Sequence, residues 1–139
     1  MAETATDPNR LATEYATIWN EQEFSRLSEV VADSFTFTSP TAGTIEGREA
    51  FEAYAREITD AFPDFEITVH ETLAGENLLM AEGTLSGTHE GEFDGIPPTG
   101  ERFEIRDMAR FVVEDGKLRE ERAFFDRQEL FDQLGLLEE

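Results

Sequence analysis

The chain has 139 residues, no cysteine, two histidines and a formal net charge of −21, from 32 acidic against 11 basic residues. This length fits one domain with its own hydrophobic core. The missing cysteines exclude disulfides and thiolate chemistry, and two histidines do not form a transition-metal cage, so we predict no metal site. Nucleic acid and anionic membranes are disfavoured as partners. Both are negatively charged and bind cationic protein surfaces, whereas this chain is strongly acidic.

The acidity indicates adaptation to salt rather than disorder. Hydrophobic residues make up 39% and aromatic residues 11% of the chain, which is enough for a packed core. Ten of the basic residues are arginine and only Lys117 is lysine. Self-repulsion of this size is screened by concentrated salt, so we predict a halophilic source. The start, MAETATDPNR, lacks the features of a signal peptide, and we predict a cytoplasmic protein.

The first half of the chain predicts three helices and one strand. In order these are a helix from Asp7 or Pro8 to about Asn20, a short helix from about Phe24 to Val31, a strand at Phe35 to Thr38 and a helix from Gly47 to about Phe62. The first helix carries an apolar stripe of Leu11, Tyr15, Ile18 and Trp19. Pro63 ends the third helix.

The second half predicts four long antiparallel strands and a closing helix. The strands run from Phe65 to Leu73, from Leu78 to Thr88, from about Arg102 to Glu114 and from Lys117 to Asp126. Asp115-Gly116 is a strong hairpin signal. The proline- and glycine-rich segment 91–101 cannot lie inside a sheet. The last helix, 127–134, ends at Gly135.

This order of elements predicts one α+β domain over residues 1–139. A strongly curved, mostly antiparallel sheet wraps on the N-terminal helices and forms a half-open cone around an apolar pocket. We expect the pocket to bind a small molecule.

Several short sequences support a family assignment. They are AFPDFEI at 61–67, GTHEGEF at 87–93, GIPPTG at 95–100, DGKLREE at 115–121, FFDR at 124–127 and QLG at 133–135. From Asn9 to Leu137 the chain resembles the SnoaL-like polyketide cyclase or ester cyclase family, which has the nuclear-transport-factor-like, ketosteroid-isomerase-like fold.

The resemblance implies a cone-shaped barrel with a deep pocket, often in a homodimer packed through the open sheet. In the name-giving cyclases an aspartate near the end of the last strand is the acid/base of an intramolecular aldol ring closure, without metal or cofactor. That aspartate matches Asp126. A histidine on the preceding long strand assists it there, and this chain has none on that strand. Arg122 stands where the family usually carries tryptophan.

Strand alternation selects further candidates. Asp107 interrupts the apolar row Ile105, Ala109, Phe111 and Val113. On the following strand one face carries Leu118, Glu120, Arg122, Phe124 and Asp126. If this face points inward, Asp107, Glu120, Arg122 and Asp126 line the pocket together, while the face with Arg119, Glu121, Ala123, Phe125 and Arg127 is mostly solvated.

These residues suggest acid/base chemistry, with alternatives left open. Surrounding phenylalanines raise a carboxyl pKa, which suits Asp126 as a base and Asp107 as a neutral hydrogen-bond donor. Arg122 lowers such pKa values, or it holds a substrate carboxylate or an enolate. The structural alternatives are a helix cap for Asp126, a buried ion pair with Glu120 or Asp107 for Arg122, and the capping of an edge bulge for Asp107.

His89 is a catalytic candidate at the pocket mouth or, alternatively, an anchor for the loop that follows it. The further candidates for substrate contacts in the pocket wall are Tyr15, Trp19, Tyr54, Phe62, Met108 and Phe124; ordinary core packing is their alternative role.

Three functions remain open on the sequence. The first is a cofactor-independent enzyme that moves a proton α to a carbonyl, as in an aldol cyclisation or an isomerisation. The second is a small-molecule binder without catalysis, and the third is a dimerising interaction domain. Sequences typical of nucleophilic serine enzymes and nucleotide binding are absent.

Overall fold

The computed structural model describes residues 8–136. Asp7, a possible first residue of the predicted first helix, and Leu137, the end of the resemblance, lie outside the described residues, as do the ends of the predicted 1–139 domain. The helices are α1 (Pro8–Glu21), α2 (Leu27–Val30), which follows a 3-10 turn at Phe24–Arg26, α3 (Arg48–Ala61) and α4 (Arg127–Gln133). The strands are β1 (Val31–Ser39), β2 (Gly43–Glu46), β3 (Glu66–Ala74), β4 (Leu78–Thr88), β5 (Arg102–Glu114) and β6 (Lys117–Phe124).

The strands form one six-stranded sheet in the order β2-β1-β6-β5-β4-β3. Neighbouring strands are antiparallel except β1 and β6, which are parallel. The predicted α+β class, with a mostly antiparallel sheet and N-terminal helices, is confirmed. The sheet is not closed, because β2 and β3 form its two edges.

The strands at the start of the sheet differ from the sequence-based expectation. β1 begins at Val31, directly after α2, whereas the alternating pattern indicated only Phe35 to Thr38. β2 was not predicted, because four residues of sequence GTIE carry no clear apolar alternation. It is positioned by a tight turn in which the Ala42 amide donates to Ser39 Oγ at 3.0 Å.

An aromatic cluster joins the helices to the sheet. Phe51 of α3 is fully buried, and its ring lies 5.0 Å from that of Phe35 and 5.2 Å from that of Phe37. On the other side it meets Tyr15 and Trp19 of α1, at 6.2 and 5.9 Å. The apolar stripe predicted for α1 is therefore core, because it packs against α3 and the sheet.

A bulge near the start of β6 decides which of its side chains face inward. Val112 pairs with Glu120 and Val113 pairs with Leu118, so Arg119 is an extra residue on β6. An extra residue reverses the alternation of all residues beyond it. The buried residues of β6 are therefore Leu118, Glu121 and Ala123, so the spacing is three positions across the bulge and two positions beyond it.

Candidate functional site

An apolar cavity lies between the concave face of the sheet and helices α1 and α3. Its volume is about 110 Å³. Its wall is largely aromatic and aliphatic, including Tyr15, Trp19, Phe37, Tyr54, Phe62, Phe65, Phe103, Phe111 and Phe125. Three acidic residues of the central strands line the same wall: Glu82, Asp107 and Glu121. Glu82 pairs with the exposed Met108 and points to the outer face by strand alternation, so two acidic side chains, those of Asp107 and Glu121, point into the apolar cavity.

Asp107 faces the cavity from β5, as the alternation of that strand indicates. It pairs with Gly83 of β4, and a Cβ at Gly83 would lie 3.5 Å from Asp107 Oδ1. Among the described residues its carboxyl group has no hydrogen-bond partner. Burial raises the pKa of Asp107 from 3.8 to about 6. At neutral pH Asp107 is therefore a largely ionised carboxylate that is readily protonated.

Glu121 faces the cavity from β6 and is only 6% exposed. The Tyr15 hydroxyl donates a 2.5 Å hydrogen bond to Glu121 Oε1. The pKa of Glu121 is raised from 4.5 to about 8, mainly by burial; the hydrogen bond from Tyr15 opposes this shift, and the charge of Asp107 adds to it. Glu121 is therefore mostly protonated at neutral pH.

The two tyrosines of the wall are neutral over the same range. Burial and the neighbouring Glu121 hold the pKa of Tyr15 well above its usual value. Burial raises the pKa of Tyr54 to about 12. Both hydroxyls can therefore donate hydrogen bonds inside the cavity at any ordinary pH.

Strand alternation alone does not predict Glu121 in the pocket, because without the bulge this residue lies on the face of β6 expected to be mostly solvated. In the mostly charged segment from Lys117 to Glu121, no change in the pattern of apolar and polar residues indicates the bulge at Arg119. The available hint was the pair Ala123 and Phe125, two apolar residues in alternation with Glu121. Both line the cavity.

The same bulge turns Arg122 and Phe124 of β6 outward, whereas Met108 of β5 points outward because it follows the inward-facing Asp107. Arg122, Phe124 and Met108 lie on the outer face of the sheet, where Phe124 is 55% and Met108 45% exposed. The prediction that they line the pocket is wrong. Glu120 also points away and accepts from Arg110 at 2.8 Å. Arg122 Nε lies 3.3 Å from Glu120 Oε2, so Arg122 forms an ion pair with Glu120, but its side chain is 56% exposed and the pair is not the buried one of the alternative.

Asp126 is exposed and caps helix α4. Its Oδ1 accepts hydrogen bonds from the backbone amides of Gln128 at 3.0 Å and Glu129 at 3.1 Å. A carboxylate at this position satisfies otherwise free amide groups of the first helical turn. Its predicted place in the pocket is therefore wrong, and the helix-cap alternative is the observed structure.

His89 is fully buried rather than at a pocket mouth. Its ring stacks on Phe62 at 5.3 Å, and Nδ1 accepts from the Thr99 amide at 3.2 Å. Nε2 therefore carries the proton, and it has no hydrogen-bond partner within residues 8–136. Burial lowers the pKa of His89. These contacts fit the alternative in which His89 anchors the loop after β4.

The structure places the remaining wall candidates, Tyr15, Trp19, Tyr54 and Phe62, around the cavity. Among residues 8–136 no three histidine, aspartate or glutamate side chains are grouped to hold a metal ion. Nor does any helix in this part of the chain have the length and apolarity needed to cross a membrane.

An open α+β cone whose helices and sheet enclose a pocket with buried acidic groups defines a class of small-molecule-binding folds. Comparison with known proteins makes the assignment specific. The family model of SnoaL-like polyketide cyclases matches residues 9–134. The chain belongs to this family, and the resemblance described above is confirmed.

Individual relatives agree with this assignment. Aklanonic acid methyl ester cyclase DnrD from Streptomyces peucetius is 33% identical over 93 residues, which cover 66% of this chain and 63% of that cyclase. The match thus spans less than two thirds of the relative's length. TsrD from Streptomyces laurentii is 24% identical, with a TM-score of 0.84 over 99% of this chain and 100% of that one. IdmH from Streptomyces antibioticus is 25% identical, with a TM-score of 0.80 over 93% and 99%.

Proposed function

We propose that this chain is a cofactor-independent enzyme that moves a proton α to a carbonyl group of an apolar, oxygenated small molecule, in an aldol cyclisation or an isomerisation. One observation carries the proposal: two carboxyl groups share an apolar cavity, and their pKa values are raised to about 6 and about 8. Separated pKa values at one site identify an acid and a base. The family membership supports the same class of reaction.

Asp107 is the base in this mechanism. Its carboxylate has no partner among the described residues, so it is free to accept the α proton of a bound ketone. The C–H bond breaks, the proton moves to Asp107, and the electron pair forms an enolate. A base with a pKa close to the working pH combines an ionised ground state with a strong tendency to accept a proton.

Glu121 supports the enolate. The bond from Tyr15 fixes Oε1, which leaves the acidic proton on Oε2 to donate to the enolate oxygen. A neutral acid in a water-poor cavity stabilises developing negative charge strongly. In a cyclisation the enolate carbon then attacks a second carbonyl of the same molecule, and Asp107 returns the proton to the new alkoxide. In an isomerisation Asp107 returns it to another carbon.

The experiment is proton exchange at the α carbon of phenylacetone in D₂O, followed by NMR, because it needs no knowledge of the natural substrate. We expect the wild-type protein to accelerate exchange and Asp107→Asn to reduce the rate by about 100-fold or more, the usual contribution of a general base. Asp126→Asn is the matched control and keeps the wild-type rate.

Equal losses in the two variants would contradict the role of Asp107. If the wild-type protein binds phenylacetone but does not accelerate exchange, the chain is a binder without this catalysis. Far-UV circular dichroism of both variants checks that they fold.

We also propose that the chain forms a homodimer through the outer face of the sheet. All five large hydrophobic side chains that are exposed in the described residues lie on this face: Leu73, Leu78, Met80, Met108 and Phe124. Apolar patches of this kind mark interfaces.

Charge supports a second copy as the occupant of this face. The outer positions of β5 and β6 carry Arg102, Arg106, Arg110 and Arg122, four of the ten arginines in a chain of charge −21. Glu82, Glu104 and Glu120 lie beside them. A face with both signs of charge can meet its own copy across a two-fold axis, whereas the remaining acidic surface repels it.

Sedimentation equilibrium tests the dimer. We expect a dimer for the wild-type chain and a monomer for Phe124→Asp, because a carboxylate would be buried without a partner. Ala53→Asp, at an exposed position of α3, adds the same charge elsewhere and leaves the dimer intact. A monomeric wild-type chain, or the same loss in both variants, would contradict the proposal.

A further inference from the structure

A second, larger depression lies directly outside the cavity. This outer groove has a volume of about 650 Å³ and runs between helix α3, the β1–β2 turn and residues 91–95. Four residues line both spaces: Thr41, Tyr54, Ile58 and Phe93. The cavity and the groove are therefore adjacent compartments that meet at these side chains.

The inner cavity is too small to hold a complete ligand of ordinary size. Its volume of about 110 Å³ is below the roughly 150 Å³ of an engineered cavity that binds benzene, and small-molecule sites usually measure about 300–1,000 Å³. A few heavy atoms next to Asp107 and Glu121 fill it. A larger ligand must extend into the outer groove.

We propose that the ligand binds across both compartments, with a small reactive head in the inner cavity and a body without negative charge in the outer groove, and that Phe93 determines which bodies are accepted. The nature of the head, a ketone, rests on the proposed function; the location of the body does not.

Phe93 is suited to this role by its position at the junction. Its ring packs edge-on against Phe62 at 5.4 Å, and its backbone pairs with Ile96. The intervening Asp94 and Gly95 both have positive φ, at 54° and 79°, so Phe93 is presented by a tight turn. An aromatic ring held by a tight turn offers a flat face to a ligand body in the groove.

The charge of the groove excludes an anionic body. Its lining includes Glu57, Asp60, Glu92 and Asp94, and no arginine, lysine or histidine from the described chain lines either compartment. A carboxylate on the body would meet like charges without a cationic partner. Apolar contacts remain from Ala42, Ile45 and Phe93.

Binding of phenylacetone and its 2-naphthyl analogue by isothermal titration calorimetry tests the proposal. We expect the wild-type protein to bind the naphthyl ketone roughly tenfold more tightly, because the second ring is buried in the groove. Ala42→Phe fills the groove from the β1–β2 turn and should remove most of this gain. Phe93→Leu should also reduce this gain several-fold, because the naphthyl body extends further along Phe93 than the single ring of phenylacetone, which reaches only the junction.

Ala53→Phe is the matched control, because it makes the same change on the exposed side of α3; both affinities should match the wild-type values. Trp19, the only tryptophan, lies in the inner cavity wall, so its emission should change when either ketone binds. Equal affinities of the wild-type protein for the two ketones, an unaffected Ala42→Phe variant, or no binding at all would overturn the proposal. Binding with the expected pattern but without α-proton exchange would refute the proposed catalysis and leave the two-compartment site in place.

Discussion

Glu121 combines deep burial with a single described partner, Tyr15, whose hydroxyl lies 2.5 Å away. Because of this environment, Glu121 stays protonated in the folded chain at pH values at which it is ionised in the unfolded chain. The unfolded chain releases the proton near pH 4.5, whereas the folded chain keeps it up to about pH 8. Folding and proton uptake are therefore linked at this residue.

The linkage predicts that the free energy of unfolding contributed by Glu121 falls as pH rises. Below about pH 4.5 Glu121 is protonated in both states, so its contribution to the free energy of unfolding is constant. Between about pH 4.5 and 8 it is ionised in the unfolded state but not in the folded state, and the stability declines as pH rises. Glu121→Gln cannot ionise, so its free energy of unfolding should increase relative to that of the wild-type protein across this pH range, by on the order of a few kcal/mol at pH 8. Urea unfolding from pH 5 to 8 measures the difference.

The control is Glu104→Gln, whose side chain is 61% exposed. It should show no comparable trend with pH. A constant difference between Glu121→Gln and the wild-type protein from pH 5 to 8 would show that Glu121 is ionised in the folded state.

The proposed proton transfer should also depend on pH, through Asp107 and Glu121. Proton transfer requires Asp107 ionised and Glu121 protonated, a combination that prevails between about pH 6 and 8. We expect a bell-shaped rate of phenylacetone exchange with limbs near these values. Glu121→Gln should remove the alkaline limb and keep the acid limb. Loss of the acid limb in this variant would contradict the assignment of Asp107 as the base.

At the scale of single elements, the β5–β6 hairpin depends on its two turn residues. Asp115 and Gly116 have φ of 54° and 77°, which corresponds to the turn that matches the twist of two antiparallel strands. Glycine adopts this conformation without the strain that a Cβ introduces. The prediction of a hairpin at Asp115-Gly116 is thereby confirmed.

Gly116→Ala should destabilise the protein by about 1 kcal/mol or more, because alanine is strained at positive φ. Gly75→Ala in the β3–β4 turn is the matched control: Gly75 does not have positive φ, and a Cβ there meets only the Leu78 carbonyl at 3.9 Å. It should change stability by less than about 0.5 kcal/mol. Thermal unfolding of both variants compares them, and equal effects would contradict the strain argument.

For the whole molecule, the dominant property is its charge. Thirty-two acidic residues against eleven basic ones leave most carboxylates without a cationic partner. Several described ion pairs, such as Arg10 with Glu14 and Arg56 with Glu52, are neighbours on one helix and contribute little in water. Long-range repulsion therefore remains and depends on salt.

We expect the unfolding midpoint to rise clearly between about 0.1 M and 2 M KCl, because the Debye length falls from about 10 Å to below 3 Å. Differential scanning calorimetry at fixed pH measures it, and KCl avoids the stabilisation that sulfate gives to any protein. An unchanged midpoint would contradict adaptation to salt.

The sequence by itself determined the order and type of most elements. Periodicity along α1, α3 and the four long strands is a local property, and turn residues such as Asp115-Gly116 act within a few positions. The aromatic stripe of α1 and the inward direction of Asp107 follow from the same local rules. Burying the apolar faces of these helices and strands then favours one arrangement, a curved sheet packed on helices.

Only the tertiary structure decided which acidic group of β6 enters the cavity. The bulge at Arg119 arises where β6 pairs with β5 on one side and with β1 on the other, and these registers are not encoded locally. One extra residue moved Glu121 inside, where Tyr15, 106 positions earlier, binds it, and turned Arg122 and Phe124 outward. Asp126 became a helix cap for the same kind of reason: its partners are the amides of a helix whose direction is set by packing on the sheet.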